Sequence, residues 1–258
     1  YMMQVLEHFS LAQGYSPGKA DGSINEDTAK LKTVLEFYKK LADASPEGDL
    51  FWKQSRELYL DGKAAMIVWS PSLLDALGGL RDSAPVTRGD DPTSKDLAKD
   101  TGFVTVFAGP GNAGGAAYAD VRYLGITNDA NTEVAQDFVK FVMSKGYGDW
   151  LSMAPEGKFP VRRGYAAGDT SYEATWAGLE VGVDRKAPLA DIYPKTVIDD
   201  IVAGLSVGDR WGVSDGQLET ASKIVNSGIM AQEVRKFIDG EQDVDAAANA
   251  IVEKMKAL

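Results

Sequence analysis

Apolar side chains recur at helical spacing in several segments of the chain. The clearest segment runs from about residue 26 to residue 44, where Leu31, Val34, Leu35, Tyr38 and Leu41 fall on one face of a helix. The same spacing predicts helices at about residues 1–11, 72–80, 131–142, 147–153, 172–181, 195–205, 217–239 and 244–256. Gly228 can interrupt the helix over 217–239, because glycine is a weak helix former. In the helix over 131–142 we expect Asn131 or Thr132 to be the N-cap, and the core face to consist of Val134, Phe138, Phe141 and Val142.

Three short apolar segments, at residues 63–69, 101–107 and 120–126, have the length and composition of β-strands. The first of them follows an amphipathic helix that ends at Gly62. Residues 108–115 and 154–164 are rich in glycine or proline, and we expect both to be irregular connectors. Helices that alternate with such strands predict an α/β fold.

Trp69 stands at the end of the first predicted strand, directly before Ser70 and Pro71. Ligands of open α/β sheets bind at the carboxyl ends of strands, and sugars stack their apolar ring faces on exposed aromatic planes. Trp69 and Ser70 are therefore candidate ligand-binding residues. The structural alternative is that Trp69 fills the core side of a strand end.

Composition narrows the classes of function. The 258 residues are 44% hydrophobic and 25% charged, which is typical of a globular protein. With 27 basic and 38 acidic side chains the net charge is −11, which disfavours nucleic acid as a partner. The chain has no cysteine, so thiolate metal sites and cysteine nucleophiles are excluded. No apolar run of about 18 residues occurs, and we expect no membrane span.

Several short motifs, taken in order, resemble a known family. They are GKAAM at 62–66, LGIT at 124–127 followed by EVAQDFVKFV at 133–142, and GKFPVR at 157–162. This series is similar to that of the family 1 extracellular solute-binding proteins, the maltodextrin-binding-protein-like sugar receptors of ABC importers. The likeness covers most of the chain from residue 26 onward.

The resemblance implies a periplasmic-binding-protein type II-like α/β fold, in which two lobes close on a ligand. It places residues 1–107 in the first part of the C-terminal lobe and residues 161–258 in its second part. Residues 108–160 would hold the hinge connectors and a remnant of the N-terminal lobe. The N-terminal part of the family's chain is expected to be absent, so that the C-terminal lobe is nearly complete and the remnant lacks its sheet neighbours.

The function implied by the resemblance is the substrate-binding component of an ABC transporter for a mono- or oligosaccharide. Such a protein is not an enzyme, needs no cofactor, delivers its ligand to a membrane permease, and works outside the cytoplasm. It is periplasmic or held at the cell surface, for which a lipid anchor on a preceding segment is one route. Two alternatives remain open: a glycoside hydrolase with a carboxylate pair, since 38 acids always offer one, and a structural interaction module.

Five further residues are candidates for ligand binding. Tyr118 and Asp120 have the spacing of one strand face, which is either a polar wall or the solvated side of an edge strand. Arg162 and Arg163 follow Pro160, where a guanidinium either holds ligand hydroxyls or pairs with an acid. Trp211 lies in a loop that resembles the family's aromatic platform, and the alternative is a structural role.

By the same resemblance, Tyr1 corresponds to a cleft position near the lobe boundary and is a further candidate for ligand binding. We expect no catalytic residues and no metal ligands. A serine-hydrolase triad is improbable because the only histidine is His8, far upstream of the Gly-x-Ser-x-Gly match at 204–208.

Overall fold

The computed structural model describes residues 2–48, 50–87 and 89–258, with the side chain of Met2 left aside. Its helices are α1 (Met2–Ala12), α2 (Thr28–Ala44), α3 (Trp52–Leu60), α4 (Leu74–Leu77), α5 (Asp96–Asp100), α6 (Thr132–Val142), α7 (Tyr147–Ser152), α8 (Ser171–Ala177), α9 (Lys195–Leu205), α10 (Leu218–Ser227), α11 (Ile229–Ile238) and α12 (Val244–Lys256). Its strands are β1 (Phe107–Gly109), β2 (Asn112–Tyr118), β3 (Glu180–Val181), β4 (Ala187–Pro188) and β5 (Gly208–Asp209). The fold is mixed α/β, as the sequence predicts.

Contacts divide the chain into two compact units. The first comprises Tyr1–Asp49, Val104–Asp120 and Ala203–Leu258, and the second comprises Leu50–Phe103 and Val121–Val202. The resemblance put residues 1–107 into one lobe, whereas this division separates residues 50–103 from residues 1–49. The assignment of segments to lobes stays a prediction of the resemblance.

The core of the first unit is formed by helices. Leu31, Val34 and Leu35 on α2 are fully buried, as the periodicity predicts, and they pack with the apolar faces of α1, α11 and α12. The helix begins where the Asp27 carboxylate accepts a hydrogen bond from the Lys30 backbone amide at 3.0 Å. Gly228, with a φ of +70°, separates α10 from α11, which confirms the predicted interruption.

A glycine-rich hairpin completes the first unit. Strands β1 and β2 are antiparallel, and β2 pairs in parallel with β5, so the sheet order is β1-β2-β5. The prediction of an irregular connector over 108–115 is therefore wrong. A Cβ atom at Gly111 would overlap the carbonyl oxygen of Gln13 at the end of α1, so glycine here permits close packing rather than irregularity.

The second unit packs around a different set of large side chains. Trp176, Tyr147, Leu151 and Leu77 are buried in its core. The indole Nε1 of Trp176 donates to the carbonyl oxygen of Pro155 at 2.9 Å, which satisfies the one polar atom of this buried ring. Strands β3 and β4 form a small antiparallel pair beside these helices.

The three predicted strands are largely absent from the structure. Residues 63–69 and 120–126 take part in no β-ladder among the described residues, and of 101–107 only Phe107 does. Residues 120–126 are exposed throughout, including Tyr123 and Leu124. A strand is stabilised by its neighbours, and these segments have none in the described chain.

Helix α6 begins as predicted but is covered differently. The Asn131 side chain accepts a hydrogen bond from the Val134 amide at 3.2 Å, which confirms the predicted cap. Of the predicted core residues Val134, Phe138, Phe141 and Val142, however, only Val142 is buried. The prediction that this whole apolar face lies in the core is wrong for the chain described.

None of the helices in the described parts of the chain combines the length and the apolar character that a membrane crossing requires.

Because Phe138 is exposed, its replacement should cost little stability. We expect Phe138→Gln to change the free energy of unfolding by less than about 0.5 kcal/mol, and to lower binding of the dye ANS. Leu151→Ala, in the buried core of the same unit, should cost about 2–5 kcal/mol. Urea unfolding followed by circular dichroism measures both; a loss of more than 2 kcal/mol in Phe138→Gln would show that this face is covered.

Glu233 on α11 should make the first unit sensitive to acid. Its carboxylate accepts hydrogen bonds from Lys236 at 2.8 Å, Lys254 at 2.7 Å and Gln242 at 3.1 Å. These contacts lower its pKa to about 2. The folded-state pKa lies below the unfolded one, so the stabilisation is present above about pH 4.5 and is lost as the pH falls toward 2.

We therefore expect Glu233→Gln to lower the free energy of unfolding at pH 7 by roughly 2–3 kcal/mol, and the gap to the unmodified chain to narrow as the pH falls from 4.5 toward 2. Chemical unfolding across this pH range measures it. Glu253→Gln, which removes only an exposed pair with Lys256, is the control and should have a small effect. Equal effects of the two substitutions at pH 7 would contradict the prediction.

Candidate functional site

Trp69 forms an aromatic pair in the second unit. Its ring centroid lies 6.3 Å from that of Trp52, the first residue of α3, and the two planes are inclined by 52°. Trp69 packs against the core with one part of its ring, whereas Trp52 is 41% exposed. Phe51, which is also exposed, extends this surface 6.1 Å beyond Trp52. These three rings are called the aromatic platform below.

Ser70 follows the platform at the start of a 3-10 turn. It is exposed, and its carbonyl oxygen accepts a hydrogen bond from the Leu73 amide at 3.1 Å as Pro71 turns the chain. Thus Trp69 and Ser70 keep the predicted position before a turn, although the segment that leads to them is not a strand. Their role in ligand binding stays a prediction.

Arg56 lies one helical turn after Trp52 on α3. Its guanidinium carbon stands 5.5 Å from the centre of the Trp52 ring, a distance at which cation and ring attract each other. Its Nε is buried and donates no hydrogen bond to any described residue. Burial, and then the charge of Arg81, lower the pKa of Arg56.

A buried ionic group lies in the same unit. The Nη2 and Nε of Arg81 donate to Oδ2 of Asp75 at 2.6 Å and 3.0 Å, and Nη2 is 3.9 Å from the carboxylate of Glu156. Asp75 and Glu156 are both buried. Burial raises the pKa of Glu156, because a carboxylate loses its hydration there.

Tyr118, Asp120 and Trp211 come together in the first unit around Arg210. The Arg210 guanidinium lies 4.5 Å from the centre of the Tyr118 ring and its Nη1 is 3.5 Å from the Asp120 carboxylate. Glu7 on α1 fixes this arrangement, because its Oε1 accepts from Arg210 Nε and from the Trp211 amide, each at 2.8 Å. Burial raises the pKa of Tyr118 to about 12.

Trp211 is not an exposed platform. It is only 3% exposed, its ring belongs to the core of the first unit, and its Nε1 donates to the Ser10 hydroxyl at 2.8 Å. The structure therefore favours the structural alternative that the sequence left open. Its proximity to Arg210 gives it a supporting role in this group.

Arg162 and Arg163 each have partners within the second unit. Arg162 donates to the carbonyl oxygen of Met143 and lies 5.5 Å over the Tyr172 ring. Arg163 holds both carboxylate oxygens of Glu173, at 2.7 Å and 3.3 Å, which is the salt-bridge alternative. Tyr1 lies outside the described residues.

Among the residues of these groups that were not predicted are Trp52, Arg56, Glu7 and Arg210. The i,i+4 spacing of Trp52 and Arg56 is a signal that could have found the first two. No local signal could have joined Glu7 to Arg210, because 203 positions of sequence separate them. Among the described residues no group of three or more histidines and acids could hold a metal ion.

No family model matches this chain. The chain is similar to YcjN of Escherichia coli strain K12, which carries the name of an ABC transporter periplasmic-binding protein. The two are 24% identical over 259 residues, which cover 99% of this chain and 53% of the relative. The chain thus spans about half the length of the relative it matches.

This similarity supports a solute-binding protein of the kind that serves ABC transporters. It agrees with the mixed α/β fold, which is compatible with that of periplasmic-binding proteins. The relative is named as a component of a transporter, with which a chain that is not an enzyme is consistent.

The Glu7 carboxylate should support the group around Arg210. We expect Glu7→Ala to lower the free energy of unfolding by about 3 kcal/mol, because it leaves a guanidinium nitrogen and a buried amide without their acceptor. Glu7→Gln keeps an oxygen acceptor and should cost about half as much. Urea unfolding measures both, and a greater loss in Glu7→Gln than in Glu7→Ala would contradict this account.

Proposed function

We propose that the chain is the solute-binding component of an ABC importer and that its ligand is a mono- or oligosaccharide. The observation that carries the sugar is the aromatic platform of Phe51, Trp52 and Trp69, in which two exposed rings adjoin a partly buried one. The similarity to a periplasmic-binding protein supports the transport role.

Sugar rings present apolar C–H faces and a rim of hydroxyls. Trp52 and Trp69 offer two planes inclined by 52°, so that two faces of one ring, or two successive rings, can each meet an indole. Ser70 follows Trp69 in the chain and is exposed, and its hydroxyl can form a hydrogen bond with a hydroxyl of the ligand. In this proposal Trp69 and Ser70 bind directly, and Trp52 joins them.

The group in the first unit is a second candidate surface. Tyr118 and Asp120 supply a ring and a carboxylate, the two kinds of group that bind saccharides, and Arg210 and Glu7 orient them. Arg162 and Arg163 have a smaller place in the proposal, because both already bind partners of their own.

The role implies partners and a location for the complete protein. A membrane permease would receive the closed, loaded form, and the binding component would work outside the cytoplasm, in the periplasm or at the cell surface. The division into a C-terminal lobe, which comprises 1–107 and 161–258, and an N-terminal-lobe remnant at 108–160 belongs to the same proposal.

No observation favours a glycoside hydrolase. Such enzymes need two carboxyl groups that reach the substrate on either side of the scissile bond. The carboxyl groups of Asp75 and Glu156 are both buried and both contact the guanidinium of Arg81. This pair therefore does not face a substrate at the surface.

Calorimetry against a panel of neutral and acidic mono- and disaccharides tests the proposal. We expect at least one saccharide to bind, and Trp52→Ala and Trp69→Ala each to weaken it about tenfold or more, since a lost stacking contact costs about 0.5–1.5 kcal/mol beyond the buried area. Tyr123→Ala removes an exposed aromatic elsewhere in the unit and should leave affinity within about twofold.

Thermal melting shows whether each variant is folded. Binding of a peptide or a metal ion, with no response to any saccharide, would sink the carbohydrate assignment. An unchanged affinity in both tryptophan variants would move the site away from the platform.

A further inference from the structure

The Arg56 guanidinium is the least satisfied charged group beside the platform. It forms no hydrogen bond or ion pair with any described residue, and its Nε is buried. A buried donor without an acceptor costs about 1–3 kcal/mol, and most such donors in folded proteins have a partner. The stacking of Arg56 on Trp52 holds the cation in place but satisfies none of its donors.

The neighbouring carboxylates accept no hydrogen bond from Arg56. Oδ2 of Asp75 accepts hydrogen bonds from both Nε and Nη2 of Arg81, while its Oδ1 is buried without a hydrogen-bond partner among the described residues. The Glu156 carboxylate lies 3.9 Å from Nη2 of the same Arg81, and burial raises its pKa. Both carboxylates thus pair with Arg81, and neither accepts a hydrogen bond from Arg56, whose guanidinium is the one that stacks on the platform.

We propose that Arg56 binds the carboxylate of an acidic sugar whose ring stacks on Trp52 and Trp69, so that the ligand is a uronic acid or a saccharide that contains one. The inference rests on the proposed function and names the class of its substrate.

The chemistry of a uronic acid matches this arrangement. Its carboxylate is attached directly to the sugar ring, so a ring on the platform carries its charge within a few bonds of the stacked face. The guanidinium of arginine is planar and can donate two parallel hydrogen bonds to a carboxylate. Residues i and i+4 on α3 are neighbours on the helix surface, which places Arg56 next to the ring of Trp52.

Because the whole chain is negatively charged, a preference for an acidic sugar depends on a cation at the binding surface itself. A net charge of −11 repels anions at long range, so an acidic sugar gains nothing from the general field of the protein. Any preference for the acid over its neutral counterpart must come from a cation in direct contact with it. Among the described residues, Arg56 is the cation that stacks on a ring of the platform.

Matched sugars and matched variants test the inference. The probes are D-glucuronate against D-glucose, D-galacturonate against D-galactose, and digalacturonate, measured by calorimetry on the whole chain. We expect an acidic sugar to bind at least about tenfold more tightly than its neutral counterpart, since a charge-assisted hydrogen bond contributes about 1.5–3 kcal/mol. Arg56→Gln should abolish this preference and leave the affinity for the neutral sugar within about twofold.

The control is Lys53→Gln, which removes an exposed cation from the same helix and should keep the preference. Arg56→Lys keeps the positive charge but lacks the planar guanidinium that can donate two parallel hydrogen bonds. It should therefore keep only part of the preference for the acidic sugar. Thermal melting confirms that the variants are folded.

The outcomes separate the two proposals. If acidic and neutral sugars bind equally well, or if Arg56→Gln weakens both alike, the inference is overturned while the proposed function stands. If acetate binds as tightly as glucuronate, Arg56 is a simple anion site and the inference is again overturned. If no saccharide of either kind binds, the proposed function fails and the inference fails with it.

Discussion

The burial of a carboxylate against an arginine is the constraint on which both candidate surfaces depend. In the first unit Glu7 is buried and holds Arg210, which in turn stacks on Tyr118 and approaches Asp120. In the second unit Asp75 is buried and holds Arg81. A charge inside a protein is tolerated only when it is paired and hydrogen-bonded, so each carboxylate fixes one guanidinium in a single position. In the first unit the Tyr118 ring lies against a guanidinium fixed in this way.

The two units differ in which polar groups remain without a partner beside the carboxylate–arginine pair. Around Glu7 the charged and indole donors have acceptors, since Arg210 meets Glu7 and Asp120, the Trp211 amide meets Glu7, and the Trp211 indole meets Ser10, although the buried Tyr118 hydroxyl has no described partner. Around Asp75 the pairing is incomplete, because Arg81 occupies only Oδ2 and the Arg56 guanidinium is stacked on Trp52 with its Nε unpaired. A satisfied network favours rigidity, whereas an unsatisfied cation beside exposed rings favours a ligand.

Helices could be predicted from the sequence where the residues that set their boundaries lie close together in the chain. Helices α9 and α12 have the predicted bounds, and the cap of α6 at Asn131 follows from one side chain and one amide. Periodicity shows which side chains share a face but not what covers that face, and so Phe138 and Phe141 were assigned to a core in which they do not lie. The strand predictions at 63–69 and 120–126 were wrong for the related reason that a strand depends on neighbours distant in sequence.

The same limit decides how much of the candidate site was predictable. Trp69 could be singled out because Pro71 forces a turn after it, a local signal, whereas its partner Trp52 belongs to the preceding helix and meets it only through packing. Trp211 carried the same kind of loop signal as Trp69, yet it is buried, since the Ser10 hydroxyl of α1 satisfies its indole nitrogen inside the core. An aromatic in a loop thus indicates a ligand surface only where no polar partner draws it inward. Stacking alone distinguishes sugars poorly, because most sugar rings have an apolar face, and discrimination requires a polar group at the edge of the rings. In the described chain Arg56 is the cation at the Trp52–Trp69 pair, so its guanidinium, rather than the rings, would select the chemistry of the ligand.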